Sequence, residues 1–211
     1  DLHSFPTRRS SDLHIADHVT LAKVLGLPLE RVDLQTQLAG GSFGRRAQNR
    51  MLFAAELAEA AKAIGPGRPI KVMWTREDDI RGGFYRPMYV HRLRGGVRGG
   101  KIVAWTSTIV GQSILKGSPF EGMVKDGIDP TSIEGLSELP YAIANFRCEL
   151  HTTDVGVPVL WWRSVGHTHT AYSAECFVDE LLQATGQDPV QGRLALIDRK
   201  STRLNSSHPY R

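Results

Sequence analysis

The sequence predicts an α+β fold with mixed sheets, hairpins and packed helices, and three observations support this. Helical and strand periodicities alternate along residues 14–197. Two strand patterns, Met88–Leu93 and Ile102–Ile109, are joined by a short glycine-rich stretch, which predicts a hairpin. The composition over 211 residues, 41% hydrophobic and 23% charged, is that of a globular protein. Because hairpins are present, α+β is favoured over a doubly wound parallel sheet.

The first half of the chain alternates helix and strand patterns. Apolar residues recur with helical spacing in Ala16–Leu25, and Gly26 marks the end of this helix. Apolar and polar residues then alternate over Val32–Leu38, which predicts a half-buried strand. A second helix is predicted over Met51–Ile64, where the narrow polar stripe indicates burial on most of its circumference. Pro69–Thr75 is rich in apolar and β-branched residues and predicts a strand.

The second half continues after the hairpin with an irregular stretch. Glycine, proline, serine and aspartate are scattered through Gln112–Tyr141, which predicts a surface loop or short helical turns. Strands are predicted over Phe146–Thr153 and Val159–Val165. An amphipathic helix is predicted over Ala171–Thr185, and Asp188, followed by proline, has the pattern of a cap for another helix.

The two ends differ in composition from the rest of the chain. The formal net charge is +4, of which residues 198–211 supply +3 and residues 1–13 supply 0, so residues 14–197 carry 4 − 3 − 0 = +1. Both ends are rich in serine and arginine and lack helical or strand periodicity. They resemble translated sequencing-library adapters, and we therefore expect non-native segments at 1–13 and 198–211 around a gene fragment, 14–197, that has lost any targeting sequence. A natural basic arm that binds nucleic acid is the alternative.

Two features of the composition exclude whole classes of protein. No apolar run approaches the roughly 18–20 residues of a membrane-spanning helix, so no transmembrane segment is predicted. The chain has two cysteines, Cys148 and Cys176, neither in a CxxC pair. An iron–sulfur cluster normally requires about four thiolates, so this chain alone is not expected to hold one.

The first candidate site is the glycine-rich loop GGSFGRR, residues 40–46, between a predicted strand and a predicted helix. Glycines allow close approach of a ligand to the backbone, and the free N–H groups at a helix start favour an anion such as phosphate or pyrophosphate. Arg45 and Arg46 add matching positive charge. The alternative is a turn that only reverses the chain, since the loop is neither a Walker A motif nor a GxGxxG fingerprint.

The second candidate site is the segment WWRSVGH, residues 161–167, which again leads into a predicted helix. Arg163 with Ser164 and Gly166 predicts a second anion cradle. The tryptophans before it are also typical of core residues. His167 and His169 are two residues apart and would share a face, as metal ligands can, if the preceding strand continued. No nearby Cys, Asp or Glu completes a set, so no protein-ligated metal is predicted.

These two loops and the sequence between them resemble a known protein family. The stretches GGSFGRR, VMWTREDDI, FYRPM with HRL, LPYAIANFR and VPVLWWRSVGHTHTAYSAECFVDEL are similar, in this order, to the molybdopterin-binding large subunit of xanthine dehydrogenase and aldehyde oxidase relatives. The isoquinoline 1-oxidoreductase beta-subunit branch resembles the chain most. The likeness covers nearly all of residues 14–197, so the chain is expected to be part of a larger molybdenum-cofactor-binding domain.

The resemblance implies that molybdenum is held by a pterin dithiolene, commonly as the cytosine dinucleotide, and not by side chains. Ser42 and Ser164 depart from the family pattern, which usually has glycine at the first position and often at the second. From the resemblance and the loop chemistry together, cofactor-binding roles are predicted for nine residues: Gly40, Gly41, Phe43, Gly44, Arg45, Arg163, Ser164, Gly166 and His167.

The resemblance further implies oxidative hydroxylation of an N-heterocycle or aldehyde, with water as the oxygen source. The family's catalytic glutamate lies closer to the C-terminus than this sequence reaches, so no catalytic residue is predicted here and the fragment alone is expected to be inactive. Electrons would leave through a small 2Fe–2S subunit, in the bacterial cytoplasm or periplasm. Two alternatives are a flavin- or nicotinamide-binding oxidoreductase domain and a basic nucleic-acid-binding module.

Overall fold

The computed structural model describes residues 5–9, 14–38, 41–48 and 51–197. The chain divides into two compact units. The first unit contains the chain up to Tyr85 together with Leu160–Trp162, and the second contains Arg86–Val159 and the chain from Arg163 onward. The first predicted loop therefore belongs to the first unit, and residues 163–167 of the second predicted loop belong to the second unit.

The first unit combines a two-stranded parallel sheet with helices. Strand β1 (Phe5–Arg9) pairs with β2 (Val32–Thr36), and helix α1 (His14–Leu25) connects them. Helices α2 (Leu52–Ile64) and α3 (Arg76–Arg81) follow. The sequence predicts no strand at β1, because apolar and polar side chains do not alternate there. The main-chain hydrogen bonds between paired strands do not require such alternation.

The core of the first unit lies among α1, β2 and α2. Leu21 and Ala54 are completely buried, and Val32 of the strand packs into the same cluster. Alanines such as Ala54 and Ala58 supply the buried face of α2, and their small side chains allow close approach of neighbouring backbones. The predicted helix over Met51–Ile64 is confirmed, beginning one residue later.

The second unit contains a three-stranded mixed sheet, and the predicted hairpin is confirmed. Strands β3 (Tyr89–Arg98) and β4 (Lys101–Gln112) pair antiparallel, and β5 (Asn145–Thr153) pairs parallel to β4. Gly99 and Gly100, at the hairpin turn, have φ of +58° and +70°, the geometry that a two-residue turn with the strand twist requires. The predicted α+β class is therefore confirmed.

Helix α5 (His167–Thr185) covers the inner face of this sheet. Trp105, 1% exposed, packs edge-on against Phe177 of the helix, with ring centroids 4.8 Å apart. Ile109 of β4 and Val178 of α5 are completely buried in the same cluster. Burial of such side chains stabilises a fold by about 1.5–3 kcal/mol each, so α5 is fixed to the sheet along its length.

Two short helices complete the second unit. Helix α6 (Pro189–Leu196) is capped by Asp188, whose carboxylate accepts hydrogen bonds from two main-chain N–H groups, as the sequence pattern indicates. Helix α4 (Pro130–Ile133) lies in the stretch predicted as loop or short helical turns, and Asp129 caps it. No helix in the described part of the chain is long and apolar enough to cross a membrane.

Two predicted strands are absent from the described residues. Pro69–Thr75 forms no ladder, since no strand of the described part pairs with it, and Thr75 instead caps α3 with a reciprocal capping box. Val159–Val165 is also not a strand: its last residues form a turn, and α5 begins four residues before the predicted start. Apolar runs indicate burial, but a strand needs a partner that periodicity alone does not reveal.

A histidine pair joins β3 to α5. His91 Nε2 and His169 Nδ1 are 2.8 Å apart, and the His169 ring stacks on Tyr89 with centroids 3.7 Å apart. Burial, with His91 as a second cause, lowers the pKa of His169 to about 4, and burial also lowers the pKa of His91. Because both pKa values lie below the ordinary 6.5, both rings are neutral near pH 7, and one ring nitrogen donates its proton to the lone pair of the other.

We expect acid to weaken this contact between β3 and α5. An unfolded histidine takes up a proton below about pH 6.5, whereas folded His169 does so only near pH 4. The unfolded state therefore binds more protons in this window, and stability decreases as the pH falls through it. The melting temperature of wild type should drop more between pH 7 and pH 5 than that of His169→Gln. The control His151→Gln, at an exposed position, should keep the wild-type drop; equal drops in all three proteins would contradict the expectation.

Candidate functional site

The loop of residues 41–48 makes a tight turn at the predicted glycine motif. Phe43 and Gly44 both have positive φ, +55° and +86°, and the Arg45 N–H donates to the Ser42 carbonyl oxygen at 3.1 Å. The Phe43 side chain is 53% exposed, and Gly41 lies directly beneath its ring, where a Cβ would come within 2.9 Å. A positive φ is uncommon for phenylalanine, and such backbone strain is concentrated at functional sites.

Gly44 packs against the backbone that precedes the second candidate loop. A Cβ at Gly44 would lie 3.0 Å from the Trp161 carbonyl oxygen and 3.0 Å from Trp162 Cα. The Leu160 N–H donates to the Tyr85 carbonyl oxygen at 3.0 Å and so fixes the start of this segment. Glycine at this position is therefore favoured by close contact with protein backbone, and not only by the approach of a ligand, as the sequence suggests.

Arg45 holds the loop to the rest of the first unit. Its guanidinium donates to the Gly82 carbonyl oxygen at 3.3 Å and lies over the rings of Phe53 and Trp74, 5.7 and 5.9 Å from their centroids. A Cβ at Gly83 would overlap this guanidinium. Cation–π contacts are stronger where water is excluded. Arg45 therefore braces the loop from within the unit.

The second candidate loop is a strained turn at the start of α5. Ser164 and Val165 both have positive φ, +70° and +40°. The left-handed region costs about 1–2 kcal/mol for ordinary residues and most for a β-branched one. The glycine that the resembled family often has at position 164 would adopt this conformation without that cost. The departure at Ser164 thus adds strain to the turn.

Glu134 accepts a hydrogen bond from a main-chain N–H group that the sequence predicts to be free for a ligand. The Gly166 N–H donates to Glu134 Oε2 at 3.0 Å, and a Cβ at Gly166 would overlap the Thr131 carbonyl oxygen. The Glu134 carboxylate also lies 3.5 Å from His167 Nδ1, and the Glu134 carbonyl oxygen accepts from Thr170 Oγ1 at 2.6 Å. The turn is therefore held by the segment after α4, and the expectation of free amides does not hold at Gly166.

Arg86 also supports this turn. Its guanidinium donates to the Arg163 carbonyl oxygen at 3.2 Å and to Thr168 Oγ1. Sequence reasoning missed the roles of Arg86 and Glu134, because each is distant in the chain from this turn. Arg86 lies in the FYRPM stretch, but that stretch indicated only the family. Arg163 and Ser164 themselves are exposed.

His167 and His169 do not form a pair. They lie on different faces of the first turn of α5, His167 beside Glu134 and His169 beside His91. Residues two apart on a helix do not face each other, so the face-sharing expected of a strand does not arise. Within residues 14–38, 41–48 and 51–197, no three His, Cys, Asp or Glu side chains are placed to hold a metal ion.

The loop of residues 41–48 contains buried polar atoms without hydrogen-bond partners. These are Ser42 Oγ, Arg45 Nη1 and both polar atoms of the Gln48 amide, and the Gln48 side chain is completely buried. Buried polar groups are almost always paired, so each exception needs an explanation such as a missing ligand. The donor set of this loop therefore fits a bound group rich in polar atoms. Gly40, which the sequence analysis assigns to the same site, lies outside the described residues.

Comparison with known proteins identifies the family. Residues 9–195 match the model of the molybdopterin cofactor-binding domain. The chain belongs to this family. The match confirms the resemblance stated from the sequence, and it begins inside the predicted non-native segment 1–13, which β1 also overlaps.

Relatives of this molybdopterin cofactor-binding domain include two bacterial oxidoreductases. The membrane-bound aldehyde dehydrogenase (pyrroloquinoline-quinone) of Gluconacetobacter polyoxogenes is 30% identical over 185 residues, 84% of this chain and 24% of the relative. The isoquinoline 1-oxidoreductase subunit beta of Brevundimonas diminuta is 29% identical over 178 residues, 82% of this chain and 22% of the relative. The chain thus spans about a quarter of the length of these relatives.

A solved structure shares the fold. Quinoline 2-oxidoreductase from Pseudomonas putida 86 superposes with a TM-score of 0.66 at 15% identity, covering 89% of this chain and 24% of that chain. At this identity the likeness establishes the fold alone. The α+β arrangement described above is therefore that of a segment of a known oxidoreductase structure.

Gly166→Ala should destabilise the second unit. The added methyl group would overlap the Thr131 carbonyl oxygen, and overpacking against backbone costs about 1–3 kcal/mol. Gly122→Ala is the control, because Gly122 also has no positive φ and has open space at its Cβ position. Urea denaturation should show that Gly166→Ala lowers the free energy of unfolding by about 2 kcal/mol and that Gly122→Ala changes it little. Similar unfolding curves for the two variants would contradict this expectation, because they would show that the Thr131 backbone moves aside at little cost.

Proposed function

We propose that this chain is the cofactor-binding part of a molybdenum hydroxylase large subunit. One observation supports this most strongly. The loop of residues 41–48, inside the range that matches the molybdopterin cofactor-binding family, holds buried polar atoms with no partner in the protein. A packed domain retains such groups when a ligand completes their hydrogen bonds.

We assign the nine predicted cofactor-binding residues to two roles. Gly44, Arg45 and Gly166 shape and hold the loops, because each is in contact with protein atoms. The other six residues are proposed to form the surface that faces the ligand. The five of them that the structure describes are exposed, and one of these, Gly41, lies against the exposed Phe43 ring. These six are Gly40, Gly41, Phe43, Arg163, Ser164 and His167.

When bound, the molybdenum cofactor would supply oxidative hydroxylation of an N-heterocycle or an aldehyde, with water as the source of oxygen. The residues of this chain bind and orient the cofactor and exclude water from its polar edge. The proposal includes the cytosine dinucleotide form of molybdopterin and a small 2Fe–2S subunit as the electron acceptor.

No described residue is assigned as a catalytic base. Glu175 is the carboxylate on α5 nearest in the chain to the second loop, but it accepts hydrogen bonds from Tyr141 at 2.9 Å and from Arg193 Nε at 3.1 Å. Both oxygens of the Glu175 carboxylate are thus engaged by contacts within the second unit. Glu175 therefore fixes α5 to α6 and takes no part in the proposed chemistry.

The identity of the extracted cofactor separates this proposal from its alternatives. Acid extraction of the full-length protein should release a pterin together with molybdenum. Release of flavin, nicotinamide or pyrroloquinoline quinone in place of pterin would contradict the proposal. Binding of nucleic acid with a steep salt dependence would support the nucleic-acid alternative.

Gly44→Ala in the full-length protein should lower the molybdenum content. The added methyl group would press on the Trp161 carbonyl oxygen and Trp162 Cα at a φ of +86°, and moving the loop away would displace the groups around Phe43. We expect less than about a fifth of the wild-type molybdenum, from a misplacement energy of about 1–3 kcal/mol. Metal analysis of the purified protein measures this directly.

Gly67→Ala is the matched control for this experiment. Gly67 has a similar φ of +79°, but no atom lies within 4 Å of its Cβ position. This variant therefore carries the same kind of backbone strain without the contact, and it should retain the wild-type molybdenum content. Equal molybdenum in the two variants would show that the contact of Gly44 with Trp161 and Trp162 does not support cofactor binding.

A further inference from the structure

Gln48 is the least satisfied polar residue of the loop. Its side chain is completely buried, and neither Nε2 nor Oε1 has a hydrogen-bond partner. The result does not depend on which way the amide is oriented, because both atoms are unpaired. Its main-chain carbonyl oxygen accepts from the Met51 N–H at 3.3 Å, so the backbone of the residue is fixed at the start of α2.

A buried amide in this state needs a particular kind of partner. It presents one acceptor and one two-proton donor side by side. A neighbouring apolar surface would leave both unpaired, which proteins avoid. The partner therefore offers a donor and an acceptor next to each other, in a plane with the amide.

This requirement distinguishes between the parts of a molybdopterin. A phosphate offers only acceptors near pH 7, so it would satisfy Nε2 and leave Oε1 unpaired. The pterin ring carries a lactam edge, with an N–H beside a carbonyl oxygen, which matches a primary amide as adenine does in bidentate contacts with glutamine. The remaining unpaired atoms of the loop, Ser42 Oγ and Arg45 Nη1, add hydrogen-bonding capacity within six residues of Gln48.

We infer that Gln48 binds the lactam edge of the pterin ring through paired hydrogen bonds. This inference rests on the proposed function and goes beyond it, because Gln48 is outside the set of nine residues predicted from the sequence. Its role is to select and orient the ring, and it takes no part in proton or electron transfer. Without the cofactor, the buried Gln48 amide has no hydrogen-bond partner.

Gln48→Met in the full-length protein tests the inference by two measurements with different expected signs. Methionine has nearly the volume of glutamine and no polar groups to leave unpaired. In protein from a host that makes no molybdenum cofactor, the melting temperature should be unchanged or higher than wild type, because two unsatisfied atoms are removed. In loaded protein, molybdenum should dissociate about tenfold faster, the change expected from losing one or two hydrogen bonds.

Gln37→Met is the control, since Gln37 is exposed in the same unit. It should leave both the melting temperature of cofactor-free protein and the release of molybdenum at their wild-type values. If Gln37→Met also accelerates release, the effect in Gln48→Met is not specific to the buried amide, and the inference is overturned.

Other outcomes for Gln48→Met overturn the inference in distinguishable ways. If cofactor-free protein is destabilised or fails to accumulate while the loaded form keeps its molybdenum, the partner of Gln48 is another part of the polypeptide. Unchanged release of molybdenum from Gln48→Met, with a pterin present in wild type, excludes Gln48 alone and leaves the proposed function intact. Wild-type protein without any pterin would instead overturn the proposed function itself.

Discussion

The contact of Gly44 with the backbone of Trp161 and Trp162 is the constraint on which the candidate site depends. It joins a loop near residue 44 to a segment more than a hundred residues later in the chain, within one compact unit. A Cβ at Gly44 would lie 3.0 Å from both residues, closer than Cβ atoms usually approach, and a φ of +86° strains any residue other than glycine. Arg163, where the second loop begins, is the next residue in the chain after Trp162.

Both loops are held in unfavourable backbone conformations by contacts with other residues of their own unit. Arg45, stacked on Phe53 and Trp74, holds the first loop, and Glu134 holds the second through the Gly166 N–H. Strained backbone persists only where the surroundings determine it. The glycines of these motifs thus serve packing as much as ligand approach.

The helices and the hairpin could be predicted because their signals are local. Glycine stops and periodicity place both ends of α1 and α2 within two residues of their observed bounds, and the Asp188 cap places the start of α6. Paired glycines mark the turn between β3 and β4. The strands predicted over Pro69–Thr75 and Val159–Val165 were wrong, because strand formation depends on a partner that lies elsewhere in the chain.

The candidate site could be predicted only in part, for a similar reason. The glycine motifs and the family resemblance indicated the two loops, and the family match confirms the resemblance. The roles of Glu134, Arg86 and Gln48 could not be foreseen. Glu134 and Arg86 act through contacts between distant segments, and Gln48 is notable only because its buried amide lacks a partner, which is a property of the folded structure.

Hydrogen exchange of the full-length protein, measured with and without its cofactor, reports whether the Gly44 loop and the Trp161–Trp162 backbone act as one element. If residues 41–48 and 160–162 form one packed cofactor-binding element, amides in both segments should exchange more slowly in the loaded protein, while those of the β4 core strand stay unchanged. Protection of neither segment, or of β4 to the same extent, would contradict the account.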